Sequence, residues 1–411
     1  MRSRVASTPD HVVVVYEDAA ELFKFIVPYV KDGLAKGERC VYLAAEAGPG
    51  QIVRALSAHG LRADREIQRG AFAVMTTREL FGPPPLEATR AIREILRVQA
   101  EAASAGFGGL RLAGDWAWTI APRDNDELRE LESLIERAAG PGRLTVACLY
   151  RRERVSADAL ERLVRLHEHV VASDRIFVGL SALFRDLPDA TLRGLARSAR
   201  GRAVRKREFF FHQGTPARDV FLLTGGMVKL ARTAPGGDEV ILRVVAPVQH
   251  FGDGRIGLDQ AVRFASAEAL EDSRALVWDS AEIVRVVLAH PQAGVAVIRW
   301  LQELMEEERS RLEDVISVDV RRRLARLILR LGESLGRKTR RGVVVDVPLS
   351  RRDLAELVIT SPYTVSRILA EWRRLDILDV QRTRILIQDE DNLAAIAGRR
   401  VSGGEAGVRI S

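Results

Sequence analysis

Tyr363, Ser366, Arg367 and Ala370 fall on one side of the stretch SPYTVSRILAEW, and Val365, Leu369 and Trp372 on another. At 100° per residue that division describes an α-helix with an apolar face and an outward one. The outward face carries a phenol, a hydroxyl and a guanidinium, groups that hydrogen-bond to base edges or phosphates when a helix lies in the major groove of duplex DNA. Ser361 suits an N-cap, and Pro362 suits the first helical position, where its missing N–H is no loss. Upstream, LSRRDLAEL supplies a shorter helix, with Ser350 as cap, Asp353 as capping-box acid, and Leu354 and Leu357 as the buried side. Downstream, ILDVQRTRILIQD reads as two strands about a tight turn, a wing that offers Arg382 and Arg384 to backbone phosphates. The DNA-facing set is Ser350, Arg351, Ser361, Tyr363, Thr364, Ser366, Arg367, Arg382 and Arg384. Two packed helices without a nucleic-acid role are the plain alternative.

A second set lies near the amino terminus. His11, Tyr16, Glu17, Glu46, Asp115, Trp116 and Trp118 fall at or just beyond the ends of apolar, strand-like runs, and open α/β sheets place ligands beyond the carboxyl ends of their strands. Each has a plainer reading: a tryptophan near a strand end as core, His11 as a satisfied surface or capping residue. The stretch EAGPGQIVRAL has glycines but no Gly-Lys-Ser/Thr, so it lacks the lysine and hydroxyl that hold phosphates and magnesium. Neither a nucleophile elbow nor a metal-ligand pair is legible, and no catalytic residue or metal is assigned. The two cysteines, Cys40 and Cys148, sit in apolar runs, as buried thiols in a reducing compartment do; an iron–sulfur cluster would need about four.

Positioning these residues takes several elements. At 411 residues the chain is too long for one ordinary core, and its 47% hydrophobic and 29% charged residues describe a globular protein. No run of about 18 apolar residues occurs and MRSRVASTPD lacks a signal-peptide core, so a cytoplasmic protein with no membrane partner is expected. A net charge of +7 favours polyanions, and basic residues concentrate at Arg321 to Arg341, beside the reading helix. Residues 9–152 alternate β-branched runs (HVVVVYED, RCVYLAAE, FAVMTT, GLRLAGDW, LTVACLYRR) with amphipathic helices, which predicts βαβ units and a parallel sheet. Residues 153–174 read as a connecting helix on Leu160, Leu163, Leu166 and Val170. Residues 175–290 read as an antiparallel barrel or roll of short strands and glycine turns. Residues 291–336 form a helix and hinge in which Ile298, Leu301, Met305, Leu312 and Val315 make a seam for pairing with a second copy or for an ordinary core. Residues 337–400 hold the winged helix-turn-helix and 401–411 a flexible tail.

The marks LFRDLPDATLRGLA, FFHQGTPARDVFLLTGGMVKL, HFGDGRIGLDQAVRFASAEAL and LSRRDLAELVITSPYTVSRIL, in that order, resemble the Crp–Fnr transcription regulators over about 175–397. The resemblance implies a cyclic-nucleotide-binding-type β-roll, a long dimer helix and a winged helix-turn-helix, with promoter DNA, a second copy and RNA polymerase as partners. Arg367 matches the family's base-contacting arginine and Ser366 its neighbour. Pro362 and Tyr363 stand where members often have Arg-Glu, so the usual operator does not carry over. The turn has Ile359 where glycine is frequent. The family's phosphate cassette aligns with Gly252 to Phe264, with Asp253 in place of Glu, Arg263 as the phosphate arginine and Phe264 in place of Ser or Thr. Two weakened contacts at about 1.5–3 kcal/mol each would remove most of a micromolar affinity, so a cyclic nucleotide is not the expected effector. Haem through His212 or His250 lacks ligand spacing.

HVVVVYED, GLAKGERCVYLAAE and GGLRLAGDWAWTI resemble the MEDS sensory domain, which implies a fold distantly related to RecA- and KaiC-like proteins and an unidentified small-molecule effector. The expected architecture is therefore multidomain: an α/β sensory domain, a β-roll, a dimer helix and a winged helix-turn-helix. The expected function is a ligand-responsive transcription regulator without enzyme activity. Two alternatives stay open: a RecA/KaiC-like nucleotide-binding or ATP-hydrolysing domain with a regulatory attachment, and a partner-binding adaptor.

Overall fold

The structure is a computed structural model, and it describes residues 9–44, 49–82, 87–116, 125–140, 142–167, 169–234, 236–237, 239–252, 261–339, 341–381 and 384–398. Two compact units divide between Leu180 and Ser181.

In the first unit the apolar runs become strands β1 (His11–Tyr16), β2 (Arg39–Ala44), β3 (Phe72–Thr76), β4 (Leu110–Asp115), β5 (Leu144–Arg151) and β6 (Val170–Val171). Among the described residues they form one parallel sheet in the order β3-β2-β4-β5-β1-β6. Helices α1 (Ala19–Ala35), α2 (Pro49–Ala58), α3 (Ala63–Gln68), α4 (Thr77–Phe81), α5 (Ala88–Ser104), α6 (Asn125–Ala138), α7 (Ala157–Leu166) and α8 (Asp174–Leu180) fill the intervals. Asp18 caps α1 by accepting from the Glu21 amide. Alternation along the strands sorts their side chains. Val12, Val14, Tyr16, Ala147 and Leu149 share a core with Ile26, Val30, Ile52 and Leu56 of α1 and α2, while Cys148 and Tyr150 face the other side.

The segment expected to be a connecting helix, 153–174, belongs to this unit. Leu160 and Leu163 of α7 are fully buried, and β6 extends the sheet beside β1. A helix with that much apolar surface needs a core to lie on, and the neighbouring sheet provides it.

In the second unit, α9 (Asp189–Ser198) precedes two antiparallel sheets built from β7 (Arg200–Val204), β8 (Phe209–Phe211), β9 (Asp219–Gly225), β10 (Val228–Thr233), β11 (Glu239–Val245), β12 (His250–Phe251), β13 (Ser266–Ala269) and β14 (Ser273–Asp279), ordered β11-β10-β13-β8 and β12-β9-β14-β7. Phe210, Phe211, Phe221, Phe251 and Val277 fill the space between them. Then follow α10 (Ser280–Ala289), α11 (Pro291–Ser317) and α12 (Val320–Leu335). The last module has β15 (Gly336–Thr339), β16 (Gly342–Asp346), α13 (Arg351–Leu357), α14 (Pro362–Arg374), β17 (Leu378–Gln381), β18 (Arg384–Ile387) and α15 (Glu390–Ile396).

The expected boundary at 336/337 moves. The long helix ends at Ser317, Asp319 caps α12, and Leu324, Leu327, Ile328 and Leu331 of α12 share one core with Leu354, Val365, Leu369 and Trp372. Residues 320–335 thus belong with the helix-turn-helix. Along α11, Ile298, Leu301, Met305, Leu312 and Val315 are exposed in the single chain. Among the described residues no single helix is long and apolar enough to cross a membrane.

Candidate functional site

The local signals at the helix-turn-helix act as the sequence predicts. The Ser350 hydroxyl accepts from the Asp353 amide at 3.1 Å, and the Asp353 carboxylate accepts from the Ser350 amide at 2.7 Å, a reciprocal capping box. Ser361 Oγ accepts from the Thr364 amide at 3.1 Å, with Pro362 in the first turn. The two helices meet through a Schellman turn in which the Thr360 amide donates to the Ala355 carbonyl at 2.9 Å. Ile359 takes the left-handed position of that turn, φ +55°, where glycine has no Cβ penalty. Val365, Ile368, Leu369 and Trp372 are buried, whereas Tyr363, Arg367 and Ala370 are exposed and Ser366 and Thr364 half-buried. The outward face of α14 is therefore a protruding surface with donors of the kind that read base edges.

Several neighbouring polar groups are already engaged. Ser361 and Thr364 hydroxyls bond each other at 2.9 Å. Arg384 pairs with Asp346 at 2.6 Å, so its guanidinium is not a free phosphate anchor as expected from sequence. Arg382 lies outside the described residues, and Arg351 is exposed. The basic run of α12 is partly internal. Arg321 forms two bonds of 2.7 Å to the Glu371 carboxylate. Arg323 donates to the Val358 and Val318 carbonyls, and Arg326 to the Ala397 carbonyl and to Asp314.

In the roll, Arg263 is buried, and its guanidinium donates to the Gly252 and Asp219 carbonyls, both at 2.8 Å, 4.1 Å from the Phe211 ring centroid. Gly252 has φ +124°, and a Cβ there would meet Arg263 Nη1 at 2.9 Å. Phe264 is exposed, with the Arg232 guanidinium 4.2 Å from its ring centroid. Asp253 lies outside the described residues. His250 is core: it bonds Ser181 Oγ at 2.6 Å and meets Phe184 edge-on, and burial pushes its pKa down to about 3.

The first unit separates the amino-terminal candidates. At the carboxyl ends of the strands, Tyr16 donates to Asp115 at 2.8 Å, burial and that carboxylate pushing the phenol well up. Trp116 is fully buried against Phe81, and Glu17 pairs with Arg175 at 2.6 Å. Glu46 and Trp118 lie outside the described residues.

His11 is at the opposite edge, the amino end of β1. There it meets four groups that the sequence reading did not bring to it: Glu136 at 2.5 Å from Nδ1, and Glu132 at 3.0 Å and Cys148 Sγ at 3.3 Å from Nε2, with His167 Nε2 3.2 Å from the same Glu132 oxygen. Glu132 and Glu136 are one turn apart on α6, a spacing that in retrospect marks a two-carboxylate face. His167 stands after α7, 156 positions from His11, so only the fold joins them.

Three family models match this chain: the MEthanogen/methylotroph, DcmR Sensory domain (MEDS) at residues 10–168, the cyclic nucleotide-binding domain at 201–290 and the Crp-like helix-turn-helix domain at 322–396. The cyclic AMP receptor protein of Thermus thermophilus is 30% identical over 159 residues, 39% of this chain and 70% of the relative. The CRP-like cAMP-activated global transcriptional regulator of Mycobacterium tuberculosis is 28% identical over 184 residues, 45% of this chain and 82% of the relative. Among solved structures, FixK2 from Bradyrhizobium japonicum aligns with a TM-score of 0.44 at 19% identity, over 50% of this chain and 99% of that one.

Proposed function

The chain belongs to the Crp–Fnr family of transcription regulators, and on that premise we propose that it binds promoter DNA as a homodimer under control of a small molecule held by its MEDS domain. One observation carries the DNA role: α14 is a helix capped by Ser361 whose core side is closed and whose outer side presents Tyr363, Ser366 and Arg367. The uncovered apolar seam of α11 supports pairing with a second copy, which would set two reading helices one DNA turn apart, about 34 Å.

The effector in this reading is not a cyclic nucleotide. Arg263 is engaged by backbone carbonyls and Phe264 offers no donor, so the roll acts as a relay. The first unit's parallel sheet with helices between strands supports kinship to RecA- and KaiC-like folds, and the missing phosphate-loop lysine supports sensing over ATP hydrolysis. RNA polymerase is the proposed partner at the promoter, and the cytoplasm the proposed location.

Fluorescence anisotropy with DNA from the promoter beside its own gene tests the reading. Arg367→Ala should weaken binding at least about fivefold, since a bidentate base contact contributes about 1–3 kcal/mol. Unchanged affinity in that variant would overturn the assignment of α14 as the reading helix.

A further inference from the structure

The cluster around His11 crowds acceptor atoms together, and it needs either added protons or a cation between them. His167 Nδ1 lies 2.7 Å from the Leu163 carbonyl, an oxygen that can only accept, so Nδ1 carries the proton and Nε2 of the neutral ring presents a lone pair. His11 Nδ1 is held in the same way by the Glu136 carboxylate, so in the neutral ring its Nε2 is a lone pair too. Both lone pairs are directed at Glu132 Oε2, itself an acceptor, and Cys148 Sγ closes the group from β5. Three acceptor atoms, from β1, α6 and the end of α7, thus lie within 4.8 Å of one another, and the Cys148 thiol of β5 stands beside His11. The side chains of His11, His167 and Glu132 are each at most 6% exposed. Glu132 Oε2 has no hydrogen bond of acceptable geometry although both imidazoles are close, as expected if the atoms face a common centre rather than one another.

We propose that this is a metal site for a borderline divalent cation, Zn2+ in the first instance, with His11 Nε2, His167 Nε2 and Glu132 Oε2 as the gathered ligands and the Cys148 thiol beside His11 drawn in as the fourth. The donor set of two imidazoles, one carboxylate and one thiolate suits zinc and disfavours magnesium or calcium, which prefer all-oxygen cages. The geometry of the three-atom group fits as well: a tetrahedron with arms of about 2.1 Å has edges of about 3.4 Å, and Glu132 Oε2 lies 3.0 and 3.2 Å from the two imidazole nitrogens; Cys148 Sγ, 3.3 Å from His11 Nε2, has to swing toward the centre to complete the tetrahedron. An outer layer is also in place: Glu136 behind His11, the Leu163 carbonyl behind His167, and the Tyr150 hydroxyl donating to the other oxygen of Glu132. Such partners fix ring orientation and raise ligand basicity. With four protein ligands the site is closed, so it is structural or regulatory: the ion ties the first strand to α6 and to the end of α7.

The test uses the full chain, dialysed with Zn2+ or with Co2+ as a spectroscopic substitute, and then freed of unbound ion. The expected result is one Zn2+ per chain by elemental analysis, with no retention of Mg2+. The Co2+ form should show intense tetrahedral d–d absorption and a thiolate charge-transfer band. Cys148→Ser should abolish the charge-transfer band, His167→Gln should weaken Zn2+ binding at least tenfold, and Cys40→Ser should change neither. A folded chain that retains no Zn2+ would mean that protons on the two imidazoles neutralise the cluster, and would overturn the proposal. So would a Co2+ spectrum without the thiolate band, or retention unaffected in both His167→Gln and Cys148→Ser. Should His167→Gln fail to fold, the spectrum of Cys148→Ser still decides.

Discussion

Lys229 offers the sharpest test of how the roll and the helix-turn-helix communicate. Its ammonium, on a side chain 10% exposed, lies 2.8 Å from Glu239, 3.2 Å from Glu268 and 3.4 Å from Asp353. Burial opposes the charge, but the carboxylates, Glu239 foremost, hold the ammonium well above the ordinary lysine range. Lys229→Met keeps the aliphatic stem and deletes only the charge. At an effective dielectric of about 20, each contact is worth about 5 kcal/mol of gross attraction, most of it offset by desolvation. Removing one partner of a buried ionic group costs about 3–5 kcal/mol. Because the three acids keep some solvent exposure, the lower end applies, about 3 kcal/mol at pH 7. Urea unfolding monitored at Trp372, in the helix-turn-helix core, measures it. The sign with pH is also fixed. A raised folded-state pKa makes the Lys229 contribution fully present below pH 10.5 and lost as pH rises above it, so the deficit of the variant should hold from pH 7 to about 10 and shrink beyond. A loss below about 1 kcal/mol at pH 7, or a deficit that grows above pH 10.5, would refute the reasoning.

Three further outcomes follow from single positions. Ile359→Gly removes a left-handed β-branched residue, a relief of about 1–2 kcal/mol, against about 1 kcal/mol of lost backbone restriction and some half-exposed apolar contact; urea midpoints should therefore agree to within about 1 kcal/mol, and a larger loss would mean that Ile359 packs more than its exposure indicates. His250 has a depressed folded-state pKa, so it contributes stability above pH 6.5 that is lost as pH falls from there toward about 3; its ring NMR signals should keep neutral-form shifts down to pH 4, and a midpoint above 5 would contradict its burial. Leu301→Glu with Met305→Glu places charge in the exposed seam of α11 and should convert dimer to monomer in sedimentation velocity; an unchanged sedimentation coefficient would exclude that seam as the interface.

What was legible in the sequence was what is local. The strands of the first unit, both caps of the helix-turn-helix, the buried set Val365, Leu369 and Trp372 and the outward Tyr363 and Arg367 follow from period, capping chemistry and proline position, all of which act within a few residues. The boundaries at 174 and 336 were misplaced because a helix that closes a neighbouring domain and a helix that links two domains have the same amphipathic pattern; only the partner core distinguishes them. Arg384 and the α12 arginines illustrate the limit for charges. A guanidinium reads identically in sequence whether it is free for phosphate or bound, as Arg321 is to Glu371, across 50 positions. The His11 cluster is the extreme case. His11, Glu132, Cys148 and His167 have no mutual spacing that a motif could encode, because parallel-sheet crossovers bring them together.

The two ends of α13 show how a signal could reach DNA. At its start, Asp353 closes the capping box with one carboxylate oxygen and takes Lys229 of the roll with the other. At its end, Arg311 of α11 donates to the Leu357 carbonyl and also to the Ile241 and Leu242 carbonyls of β11. The first helix of the DNA-binding pair is thus fastened to the roll directly at one end and through the long helix at the other. Since α14 shares its core with α13, the reading face moves with the roll while both fastenings hold. A change in the separation of two reading helices then has two routes: the long helices turn against each other with the roll and reading head as one body, or both fastenings release together. The second route must break charge-assisted hydrogen bonds to carbonyls and carboxylates, interactions of about 1.5–3 kcal/mol each, whereas the first breaks none of them. In the proposed dimer, rotation about the α11 seam would therefore be the less costly response to an effector.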